Sequence, residues 1–68
     1  MKNQEEKSRV ETRAEKFFKL RFPDRSIESE KLTGYFYTWM HRLGQPDPTV
    51  YMDSESVEAY KQLLKEGY

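Results

Sequence analysis

Cysteine is absent from this 68-residue chain. Neither a disulfide framework nor a thiolate zinc site can therefore hold it together, which fits a reducing compartment. The N-terminal stretch "MKNQEEKSRVETRAEKF" contains no apolar run, so it lacks the core of a secretory signal. No window approaches the roughly 20 apolar residues of a membrane span. These absences point to a soluble, cytoplasmic protein. The three glycines are isolated from one another, so no glycine-rich phosphate loop exists. There is one histidine, His41, and no GxSxG or HExxH pattern accompanies it. Formal net charge is zero. That argues against a dedicated nucleic-acid binder, which carries a strong basic surplus, and equally against an acidic mimic of DNA.

Aromatic residues are what the chain has in plenty. They form 15% of it, against a charged share of 35%. A chain this polar and poor in aromatics would be disordered. Here each ring buries roughly 150–250 Å², enough to close the one small core that such a length allows. We expect a single domain over residues 1–68, with residues 1–5 fraying. The charge is unevenly laid out: residues 7–25 carry +4, residues 26–68 carry −3 and residues 1–6 carry −1. The combination of high charge, high aromatic content and no cysteine resembles the small accessory or host-interfering proteins of bacteria and bacteriophages, a resemblance of composition alone.

Two breaks, "FPDRS" and "GQPDP", divide the chain into three periodic segments. In the first, from about Asn3 to Arg21, Val10, Ala14 and Phe17 share a face at about 100° per residue, with Phe18 and Leu20 on its flanks. Glu5 with Arg9, and Glu15 with Lys19, stand at i,i+4 in the favourable acid-first order. Pro23 ends this helix by disfavouring helical geometry at the residue before it. In the third segment Asp53 is a good N-cap, and Met52 and Val57 stand at hydrophobic-staple spacing. Val57, Tyr60, Leu63 and Leu64 form the stripe, and Gly67 terminates it.

The middle segment, residues 31–43, contains "GYFYTWM". As a strand it would place Tyr35, Tyr37 and Trp39 on one face and pair with Thr49–Met52. As a helix it gathers Leu32, Phe36, Trp39 and Leu43 within about 40° and leaves Thr33, Gly34, Tyr37, Thr38 and His41 opposite. The helix separates apolar from polar better. Ser26 or Ser29 supplies its cap, and Gly44 in a left-handed conformation, followed by Pro46, supplies its stop. The expected fold is therefore all-α, a three-helix minidomain with an extended proline-containing connection between helices 2 and 3. The α+β alternative, helix–hairpin–helix, stays open.

Catalysis has little support. His41 has Tyr37, Thr38, Gly44 and Gln45 at i±3 and i±4, none of them a carboxylate, and a general base needs an orienting partner. No enzymatic activity, cofactor or metal is expected. The stripe Arg9, Arg13, Lys16 and Lys19 could follow a phosphate backbone; a solvated helix face balanced by glutamates is the preferred reading. The strip Gly34, Tyr37, Thr38 and His41, with Tyr51 in the connection, is the expected protein-binding surface. Tyrosine gives large contact area for little entropy, and glycine allows close approach. Tyr37 as a simple cap on the core edge stands level with that reading. The leading expectation is a non-enzymatic module that binds another protein, or a second copy of itself. The alternative is a nucleic-acid-binding regulator using helix 1.

Overall fold

Pro23 stops the first helix where expected. This computed structural model describes Lys2–Tyr68, with side chains from Arg9 onward. In it α1 spans Lys2–Arg21, and the Phe22 amide still donates to the Phe18 carbonyl at 2.8 Å before the chain turns. Three more α-helices follow: α2 (Ile27–Thr33), α3 (Tyr35–Leu43) and α4 (Ser54–Lys65), with a 3-10 turn at Pro48–Tyr51 between the last two. The architecture is all-α. No strand occurs among the described residues, so the hairpin alternative falls. No helix among them is long and apolar enough to cross a membrane. The Glu5–Arg9 pair lies outside the described side chains.

The middle segment is two helices instead of one. The Ser26 hydroxyl accepts from the Ser29 amide at 3.4 Å and opens α2. Gly34 closes it in the left-handed region, φ 87°, with its own amide donating to the Lys31 carbonyl. The same glycine then caps α3, its carbonyl accepting from the Thr38 amide at 3.3 Å. A side chain at this φ costs about 1–2 kcal/mol, so the corner needs glycine. The turn also breaks the angular register. Leu32, expected beside Phe36 and Trp39, is 91% exposed, and α2 has no buried residue at all.

The core forms where α1 meets α3 and α4. Ala14, Phe17 and Phe18 of α1, Phe36, Trp39 and Leu43 of α3, and Leu63 of α4 are buried together. Phe17 and Trp39 lie with ring centroids 5.0 Å apart. Burying each large apolar side chain is worth about 1.5–3 kcal/mol. Phe18, read as a flank, is fully inside, and Leu20 is exposed. In α4, Leu63 faces the core whereas Leu64 is half exposed.

The connection expected to be extended is helical at its end. Asp47 organises it: its carboxylate accepts from the Thr49 hydroxyl at 2.6 Å, and its carbonyl from the Val50 amide at 3.3 Å. Pro48, which has no amide to leave unpaired, sits at the start of the turn and is buried. Gly44 is right-handed, φ −82°, rather than left-handed; its amide is shared between the Met40 and His41 carbonyls, each at 3.2 Å. Gly67, at φ 95°, does adopt the left-handed form. There Gly67 donates to Leu64 and Tyr68 to Leu63, the paired bonds of a Schellman C-cap.

Arg21 joins the end of α1 to the start of α4. Its Nε donates to Ser56 Oγ at 3.0 Å, and its Nη2 reaches Asp53 Oδ2 at 3.4 Å and Glu55 Oε2 at 3.5 Å. The Asp53 carboxylate also accepts from the Ser56 amide at 3.1 Å, making the expected N-cap. Hydrogen bonds from the Ser56 hydroxyl and amide, then from Arg21, hold the Asp53 carboxyl below its ordinary range.

Candidate functional site

The outer side of α3 carries the expected strip. Tyr37 is 47% exposed. Its ring stands edge-on to Phe36, centroids 5.5 Å apart, and its hydroxyl makes no hydrogen bond among the described residues. One turn on, His41 is exposed. Its Nε2 lies 3.2 Å from the Gln45 side-chain amide, which also approaches the His41 carbonyl at 3.3 Å. Among the described residues the imidazole therefore meets an amide and no carboxylate. Thr38, between them, is exposed and donates its hydroxyl to the Gly34 carbonyl at 3.4 Å.

Two members of the strip behave otherwise than the sequence implied. Gly34 stands at the α2–α3 corner, and the positive φ there already accounts for glycine. Tyr51, 54% exposed, stands on the 3-10 turn beside Val50, which is 70% exposed. No hydrogen bond or ring contact joins Tyr51 to Tyr37 or His41 among the described residues. The helix thus brings Tyr37, Thr38 and His41 together, while Tyr51 forms a separate exposed aromatic.

A partly exposed charge pair is one that sequence spacing misplaced. Glu15 pairs with Lys31 at 3.3 Å, not with Lys19. The Lys31 ammonium also lies 5.0 Å from the Phe36 ring centroid. The Glu15 hydrogen bond raises the Lys31 pKa above its ordinary value, with partial desolvation working against it.

The basic stripe of α1 does not stay one row of solvated cations. Arg13 is half-buried and reaches the Tyr60 hydroxyl at 3.4 Å. Lys16 lies 5.8 Å from the Tyr68 ring. Arg9, Thr12, Arg13, Gly67 and Tyr68 line a cleft of about 360 Å³ at the chain end. Arg9, Lys16 and Lys19 remain exposed.

A different cationic cluster went unseen in the sequence. Phe22, Tyr35 and Trp39 contact one another with centroids 5.8–6.3 Å apart. Arg21 lies over Phe22 at 4.7 Å. Arg25 lies over Phe22 at 5.3 Å and over Tyr35 at 5.6 Å. Arg42 lies over Trp39 at 4.7 Å. Tyr35, Trp39 and Arg42 follow i, i+4, i+7 spacing on α3 and were legible as a helical flank; only the fold adds Phe22 and its arginines. The buried Trp39 indole N–H has no acceptor among the described residues.

No protein family, curated protein or solved structure shows a significant match to this chain.

Proposed function

We propose that this protein works by binding another protein, as an adaptor, inhibitor or regulator, and that the outer side of α3 makes the contact. The observation that carries this reading is Tyr37, a large aromatic half outside the core with an unpartnered hydroxyl. Thr38 and His41 extend the same exposed side. Interface energy concentrates in such tyrosines, where one rigid ring supplies both apolar area and a polar tip.

The distribution of cations favours a protein over a nucleic acid. Arg13 and Lys16 are turned to α4 and the C-terminus, Arg21 is engaged by Asp53 and Glu55, and the half-exposed Arg25 is paired with Glu30 at 3.5 Å. Among the described side chains that leaves Arg9, Lys16 and Lys19 as the exposed cations of α1, with Lys16 drawn towards the Tyr68 ring, few for a phosphate track of several contacts. A non-enzymatic role is supported by His41, whose neighbour is an amide where a general base would need a carboxylate or nucleophile.

Affinity capture from the native host, with retained proteins identified by mass spectrometry, tests this when parent and variants are compared. Tyr37→Ala should keep its fold, because a surface substitution costs less than about 0.5 kcal/mol. It should weaken capture by about 2 kcal/mol or more, roughly thirtyfold. Arg9→Glu with Lys19→Glu should leave capture intact. The reverse pattern, together with binding to DNA that collapses as salt rises, would establish the nucleic-acid reading instead.

A further inference from the structure

We propose that the Arg25–Arg42 side of the molecule docks an acidic segment of a partner protein. Its carboxylates would be held by the two guanidinium groups and its apolar side chains would rest on Tyr35 and Phe22. This side is separate from the Tyr37 strip. At 100° per residue Tyr35 and Arg42 lie roughly 140–160° around α3 from Tyr37, so the inference does not depend on that strip.

Three guanidiniums meet one aromatic trio here, and they are not equally satisfied. Arg21 is closed off by Asp53, Glu55 and Ser56. Arg25, with 53% of its side chain exposed, has the single carboxylate of Glu30 at 3.5 Å. Arg42 makes no ion pair or side-chain hydrogen bond among the described residues. A guanidinium over a ring uses its face for the contact and keeps its in-plane N–H donors for a carboxylate, which it grips in a bidentate fork. The rings also hold the arginine stems in place, so less rotamer entropy remains to be lost on binding.

The spacing fits a peptide. From Arg25 to Tyr35, on to Trp39 and then to Arg42, the steps are 5.6, 6.3 and 4.7 Å. An extended segment covers that path in about five residues or fewer, at roughly 3.3 Å per residue. Two acids a few positions apart therefore reach both arginines while residues between them meet Tyr35. A nucleic acid fits less well. Its bases need open stacking platforms, and Trp39 is 4% exposed. Glu30, Asp53 and Glu55 border the same side and would repel a long run of phosphates, whereas a short acidic segment can end between them.

Fluorescence anisotropy in physiological salt tests this with a labelled peptide alternating Glu with Leu and Phe. The same peptide with Gln for Glu and an oligodeoxythymidylate of equal length serve as comparators. The Glu peptide should bind most tightly of the three. Arg25→Gln and Arg42→Gln should each weaken it about tenfold, the loss of one charge-assisted contact, while Arg9→Gln with Lys19→Gln should leave it within about twofold. Should Arg42→Gln not fold, Arg42→Lys keeps the charge but loses the planar fork and should still weaken binding. No binding of the Glu peptide, tighter binding of the oligonucleotide, or equal losses from the Arg9 and Lys19 changes would overturn the proposal.

Discussion

Replacing Gly34 by alanine separates two structures by the sign of its effect. In one continuous helix through residues 31–43, Gly34 would be an interior glycine. Alanine there would stabilise the protein by about 1 kcal/mol. In the structure Gly34 has φ 87°, and a Cβ built on it meets nothing within 4 Å. The effect is then conformational strain without a clash. Forcing an L-residue into this region costs about 1–2 kcal/mol, against which the stiffer unfolded chain returns about 0.4–1 kcal/mol. A net loss of about 1 kcal/mol follows, and it should lower Tm by about 4–8 °C in a domain of this size. Gly44→Ala is the matched control. Gly44 is right-handed, and its Cβ would lie 3.5 Å from the His41 carbonyl oxygen, an ordinary contact, so alanine should be neutral or stabilising by up to about 1 kcal/mol. Circular dichroism melts of both variants suffice. A Gly34→Ala protein that melts above the parent would refute the corner and restore the single helix.

Other consequences follow from burial and charge. Leu32→Ala should change stability by less than about 0.5 kcal/mol, because the side chain is exposed, whereas Leu63→Ala should cost about 2–5 kcal/mol; urea titration followed by Trp39 fluorescence distinguishes them. Trp39→Ala should cost about 3–5 kcal/mol, most of what so small a domain possesses, and leave it largely unfolded by circular dichroism. Trp39→Phe should be better tolerated, since it keeps a ring against Phe17 and, like alanine, removes the unmet buried donor; a loss from Trp39→Phe as large as that from Trp39→Ala would contradict the ring packing. The depressed Asp53 pKa means that its charge stabilises the fold above the ordinary carboxylate value near 3.9 and that this contribution disappears as pH falls through the lower folded value. Asp53→Asn keeps a good cap, so its Tm should lie below the parent's at neutral pH and meet it in acid; a gap that does not change with pH would contradict the stabilisation of the Asp53 carboxylate by Ser56 and Arg21.

What the sequence determined by itself was the local chemistry. Pro23 as a stop, Asp53 as a cap, Gly67 as a terminator, and the amphipathic stripes of α1 and α4 all act within about one helical turn. Their signals survive without the rest of the fold. The strip Tyr37–Thr38–His41 was legible for the same reason, since i, i+1 and i+4 on one helix share a side wherever that helix packs. The tertiary structure decided the rest. Gly34 can continue a helix or turn a left-handed corner, and its own preference does not choose. The corner is chosen by packing: it lets α3 lay Phe36, Trp39 and Leu43 into the core while α2 rests Ile27 and Lys31 against α1 and α3, and it leaves Leu32 in solvent. Whether Glu15 meets Lys19 or Lys31, and whether Leu63 or Leu64 faces inward, depends on where neighbouring helices lie, which helical periodicity does not encode. The cluster of Arg21, Arg25 and Arg42 around Phe22, Tyr35 and Trp39 needs α1, the turn after it and α3 to meet in space. Such contacts are made between segments distant along the chain, so only the closed core brings them into existence.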